Sequence, residues 1–176
     1  GARVINLSLG GVRDPKDPGT DTYSEEEAAA VRNAVAHGVV LVAAVGNGDQ
    51  SPSQPWPYAS YPAALPHVIG VSALNKDGSV PAYSNRDAVF NDLAAPGSGI
   101  LSTFPRVLTA VRPACPDQGY SDCGPGEYAY AEGTSFATPQ VAAAAADLLG
   151  LDPQLQPAQV SWLLERSANG VNAASG

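Results

Sequence analysis

Ser135 sits in a stretch whose residue types suit chemistry at a hydroxyl: Glu132-Gly133-Thr134-Ser135-Phe136-Ala137-Thr138-Pro139-Gln140-Val141. An apolar, tyrosine-bearing run at 128–131 leads into it, and an alanine-rich helical run at 138–149 follows. Ser135 therefore falls where a strand or turn becomes the start of a helix. Gly133 permits a tight turn and the close approach of a ligand. The unpaired N–H groups and the dipole of a helix start favour negative charge beside the serine. Those are the conditions for acyl transfer, in which a nucleophilic oxygen attacks a carbonyl and an oxyanion forms next to it. The same residues also fit a plainer role, Thr134 or Ser135 acting as a helix cap.

The elements around this stretch have to build one core. The chain has 176 residues, 44% of them hydrophobic and 15% charged, which suits one globular domain. Its glycines and prolines follow no repeat, which excludes collagen-like and low-complexity classes. No apolar run is long enough to span a bilayer, so no membrane partner is expected, and no secretory leader opens the sequence. The net charge of −8 argues against nucleic acid as a partner. Cys115 and Cys123 share one Pro/Gly/Tyr-rich segment. A local disulfide in an exported protein is favoured over two free thiols in a cytosolic one.

Residues 3–9 read as a buried strand ending at Gly10-Gly11, followed by an acidic surface loop at 12–23. Ser24 opens a helix, with Glu27 completing a capping box, and Gly38 stops it after His37. Residues 39–45 form a second apolar strand ending at Gly46-Asn47-Gly48. Strand, helix, strand at this spacing is a βαβ unit, hence a parallel sheet whose ligand rim lies at the strands' carboxyl ends. Ser8-Leu9-Gly10 and Gly46-Asn47 belong at that rim. A third strand is expected at 68–73, a turn with hairpin chemistry at Asn75-Lys76-Asp77-Gly78, and short strands at 89–95, 99–103 and 128–131. An inserted loop occupies about 106–127, and a last helix at 157–167 starts with Pro157 and carries Val160, Leu163 and Leu164 on one face.

Several of these motifs together resemble the subtilisin-like serine proteases. Gly133-Thr134-Ser135 with Ala137-Thr138-Pro139 is similar to their nucleophile motif, Asn6-Leu7-Ser8-Leu9-Gly10 to their cleft strand, and Ala43-Ala44-Val45-Gly46-Asn47 to their oxyanion strand. Tyr61-Pro62-Ala63, Tyr83-Ser84-Asn85, Ala94-Ala95-Pro96-Gly97 and Pro157-Ala158-Gln159-Val160 follow in the family's order. The resemblance implies a three-layer α/β fold with a mostly parallel central sheet, seen here without its N-terminal part. It implies Ser135 as nucleophile and Asn47 as amide donor to the oxyanion; taken alone, Asn47 between two glycines also fits an Asx turn. It implies a pocket for the residue before the scissile bond walled by Ser8, Leu9, Gly10, Ala44, Val45 and Gly46, with Ser60 near its floor. That pocket reads as apolar, with no acid on its walls, and the exposed backbone of 8–10 suits strand addition by an extended peptide or protein substrate. No cofactor is required, although the family's weak cation site, calcium included, would fall at Asp92 with carbonyls near 63–65. Asp14, Asp17 and Asp21 read as a solvated loop, since no calcium loop of alternating acids is present.

One departure is large. The family's general base and its orienting carboxylate stand in Asp-Thr-Gly and His-Gly-Thr settings upstream of the Ser-Leu-Gly strand, and this sequence contains neither. His37 precedes a strand roughly 26 Å long, at about 3.3 Å per residue, and so lies at the wrong sheet edge; His67 also precedes a strand. The expectation is the C-terminal part of one secreted subtilisin-type peptidase domain, inactive alone and partnered by the missing half or by itself. The alternative is a non-catalytic peptide-binding or assembly module. A serine-carboxyl protease of the sedolisin kind would carry Asp where Asn47 stands.

Overall fold

The computed structural model describes residues 1–49, 51–103 and 128–170. The expected loop at 106–127 and the Cys115–Cys123 pair lie outside them. Four parallel strands form the central sheet in the order β1 (Val4–Leu7), β2 (Val40–Ala44), β3 (Val68–Leu74) and β4 (Leu93–Pro96). A separate antiparallel ribbon pairs β5 (Ile100–Thr103) with β6 (Tyr128–Ala131). The helices are α1 (Glu25–Ala36), α2 (Thr134–Leu151) and α3 (Pro157–Ser167).

The apolar runs are apolar for a reason visible in the layers. Alternate residues of β2 point to opposite faces. Val40 and Val42 enter one core with Ala137, Val141, Ala145 and Leu149 of α2 and Val160 of α3. Leu41 and Ala43 enter a second core with Ala28 and Val31 of α1. A strand buried on both faces cannot alternate with polar residues. The alanines of α2 let that helix lie close across the sheet. Ser24 caps α1 by accepting the Glu27 N–H at 3.2 Å, and Gly38 at φ 76° ends it as expected. Arg3 ties β1 to the α2–α3 corner by donating to the Pro153 and Leu155 carbonyls at 3.0 and 3.1 Å.

Three local expectations are corrected. Asn75–Gly78 is a turn closed by the Asn75 N–H to the Ser79 carbonyl at 2.8 Å, but the strands on either side of it pair in parallel, so it makes no hairpin. The strand expected from residue 89 begins at Leu93. The Asp87 carboxylate takes the N–H groups of Val89 and Phe90 at 2.8 and 3.1 Å, and this local bonding competes with a ladder. Asp14 is buried rather than solvated, because the Lys16 N–H and the Thr20 hydroxyl satisfy its two oxygens at 3.0 and 3.3 Å.

Candidate active site

The carboxyl ends of β1 and β2 and the start of α2 meet at one rim. Gly133, at φ 140°, is the N-cap of α2 and has no side chain to cap it. Neither Thr134 nor Ser135 is therefore there to cap; both lie in the first turn. No described residue takes the Ser135 N–H. The Ser135 hydroxyl donates to the Ser8 carbonyl at 3.3 Å, a long bond that leaves the oxygen lightly held.

Pro139, inside α2, has no N–H for the carbonyl four residues before it, which is that of Ser135. The Ser8 hydroxyl fills the gap by donating to the Ser135 carbonyl at 2.7 Å, and Asn6 Nδ2 donates to Ser8 Oγ at 3.0 Å. The segment leaving β1 thus holds the peptide that carries Ser135. Ser8 does not wall the pocket as expected; it positions Ser135.

Asn47 is oriented without ambiguity. Its Oδ1 accepts both the Thr134 N–H at 2.9 Å and the Thr134 hydroxyl at 2.8 Å. An amide that accepts at one end presents its NH2 at the other. Nδ2 therefore faces the Gly133 side, where a Cβ added to that glycine would come within 3.1 Å of it, and it donates to no described residue. The unpaired Ser135 N–H and Asn47 Nδ2 are two donors on residues that line the same cavity, the kind of pair that holding an oxyanion requires. Thr134 escaped the sequence reading as an orienting group, although its place beside the serine was a usable signal.

A cavity of about 150 Å³ opens next to Ser135, lined among others by Leu9, Gly10, Ala44, Gly46 and Ser60. Val45 does not line it; its side chain is fully buried in the core shared with α1, because it follows the inward alternation of Leu41 and Ala43. The walls are not purely apolar either. Asp49, directly after the Gly-Asn-Gly turn, borders the cavity and is exposed there. Gly11 and Tyr61 exchange backbone hydrogen bonds of 2.9 and 3.0 Å and join the two walls.

Both histidines stand at the opposite sheet edge. His37 is the C-cap of α1 and His67 immediately precedes β3. Asp92 also lies on that side. It accepts the Gly70 N–H at 2.7 Å and borders a second cavity with His67 and Glu165, which the residues at 63–65 do not line. Burial pushes its carboxyl up, and the nearby Glu165 adds to that. Among the described residues no cluster of three or more His, Cys, Asp or Glu side chains is arranged to hold a metal.

A sequence model of the Subtilase family matches residues 1–176. The chain belongs to the subtilase family. It is 34% identical to Extracellular protease of Xanthomonas campestris pv. campestris over 98% of its own length and 26% of that protein. It is 35% identical to Subtilisin E of Bacillus subtilis (strain 168), covering 94% of this chain and 35% of the relative. With Subtilisin DY of Bacillus licheniformis it shares 33% identity over 97% of its length and 51% of the relative. It thus spans about a quarter to a half of these curated relatives. Among solved structures it is similar to the prenylagaramide maturation protease PagA (TM-score 0.73, 29% identity, all of this chain and 55% of that one). It is also similar to a cold adapted subtilisin-like serine proteinase (TM-score 0.72, 29% identity, 98% of this chain and 50% of that one). No described helix is long and apolar enough to cross a membrane.

Proposed function

We propose that this chain carries the nucleophile and oxyanion half of a secreted subtilisin-type serine endopeptidase. The observation behind this reading is the pairing of Ser135, in the first turn of α2, with an Asn47 whose carbonyl end is engaged by Thr134 so that its NH2 end is left to donate. An extended peptide lies along residues 8–10, of which Leu9 and Gly10 are exposed, with the side chain before the scissile bond in the adjoining cavity. Ser135 Oγ attacks the peptide carbonyl carbon while a base takes its proton. Asn47 Nδ2 and the Ser135 N–H receive the oxyanion. The C–N bond then breaks as the base returns the proton to the leaving amine, and water releases the acyl group by the same steps in reverse.

With both histidines at the far edge, the base and its carboxylate come from outside these residues, and the chain acts together with a segment that bears them. The alternative, a non-catalytic peptide-binding or assembly module, needs the groove but not both Ser135 and Asn47. The distinguishing experiment is peptide hydrolysis by the chain alone, by the chain with an Asp- and His-bearing subtilase segment, and by the Ser135→Ala form of each. The reading expects Ser135-dependent turnover only with the added segment. Ser135-independent turnover, or none with the segment bound, contradicts it.

A further inference from the structure

Asn85 lies behind the oxyanion turn and is 1% exposed. Its backbone N–H donates to the Gly46 carbonyl at 2.9 Å, and its Nδ2 donates to the Val45 carbonyl at 2.9 Å. The two peptide carbonyls just before Asn47 are thus held from one residue. Nδ2 also reaches Ser60 Oγ, on the cavity wall, at 3.4 Å. The amide is wedged between the glycines that flank Asn47, both in the left-handed region at φ 102° and 72°. A Cβ on Gly46 would stand 2.6 Å from Asn85 Nδ2, and one on Gly48 would stand 3.4 Å from Asn85 Oδ1.

The carbonyl end of that amide is orphaned. Oδ1 is buried and has no partner among the described residues. Here the NH2 end is committed to the turn and the other end goes without. Building on the protease reading above, we propose that Asn85 is a positioning residue for the oxyanion donor. It fixes residues 45–48 so that Asn47 Nδ2 faces the place where negative charge develops. Asn85 does not border the cavity itself, so it acts through the residues it holds, and the Asn47→Ala background separates a route through Asn47 from one through Ser60.

The test uses the complete active protein, with Asn85→Ala and the near-isosteric Asn85→Asp, which puts a carboxylate oxygen against the Val45 carbonyl. Each is made in the unmodified protein and in an Asn47→Ala background, and kcat, KM and amide exchange at Thr134 and Val160 are measured. Thr134 reports directly on the turn, because its N–H is bonded to Asn47, whereas the Val160 N–H is bonded to the Gln156 carbonyl at the cap of α3. The expected result is a fall in kcat of about tenfold with KM within about twofold, and a further loss of under about twofold once Asn47 is already alanine. Exchange at Thr134 speeds up while Val160 is unchanged. An equal loss in both backgrounds, a loss carried by KM, or unaltered Thr134 exchange overturns the proposal. The exchange measurement stands even if Ser135 proves not to be the nucleophile, so the two failures are distinguishable.

Discussion

The amide of Asn47 is held in one orientation, which in the proposed protease would aim its NH2 at a developing oxyanion. Thr134 occupies its oxygen twice, so rotation of the amide would break two hydrogen bonds at once. In an active protein containing this chain, Asn47→Ala is expected to lower kcat about 10²- to 10³-fold with little change in KM, the magnitude established for loss of one such donor in a subtilisin. Steady-state kinetics on a peptide ester and a peptide amide check this, and a loss confined to KM would assign Asn47 to substrate binding instead. Asp87 illustrates a residue whose work is structural. Burial alone would raise its carboxyl, but the N–H groups of Ala59, Val89 and Phe90, with Arg13 at 3.0 Å, outweigh burial and lower it. A lowered folded pKa gives stability that is present above the unfolded value near 3.8 and is lost as pH falls through the folded one. Asp87→Asn should therefore flatten the acid limb of the stability profile, and Asp87→Ala, which removes the acceptor shared by Arg13 and three backbone N–H groups, should cost about 1–3 kcal/mol at neutral pH. Urea unfolding at several pH values measures both.

At the scale of elements, β1 and α2 are joined by the hydroxyl that substitutes for a missing helix bond. Ser8→Ala leaves the Ser135 carbonyl without its donor, at a cost of about 1 kcal/mol. Pro139→Ala supplies a helical N–H to the same carbonyl, so the double variant should recover most of that loss. Chemical denaturation of the four forms measures the coupling, and simple additivity would show that Ser8 does not fill the gap left by Pro139. Most of these elements were legible in the sequence. The doubly apolar strands, the Ser24 cap, the Gly38 stop and the Pro157 start each follow from local physical rules. Strand starts were misjudged where a side chain competes for the backbone, as Asp87 does before β4. The Ser135 placement was legible because glycine and helix pattern coincide there. Val45 was misassigned because a motif marks a segment of chain and not the face to which each side chain turns. Thr134 and Asn85 bond to distant segments, and Asp49 borders a cavity built from several of them, which no local pattern reveals.

For the whole molecule, the sheet stops at β1, where Ile5 and Leu7 are only half-buried against the α1-side core and no described strand pairs beyond them. Open edges and partly covered apolar residues favour association. The purified chain should sediment as a self-associated species, or bind the segment that bears the Asp and His; a compact monomer of 17.9 kDa that ignores that segment would contradict this. The central claim, that Ser135 is a nucleophile activated from outside this chain, is tested most directly by a fluorophosphonate probe. Such a probe phosphonylates a serine oxygen only when a base removes its proton. Peptide mass mapping after labelling should place the adduct on Ser135 in the complete, active protein and find none on the chain by itself. An adduct on another residue, or full activity with Ser135 unlabelled, would contradict the account.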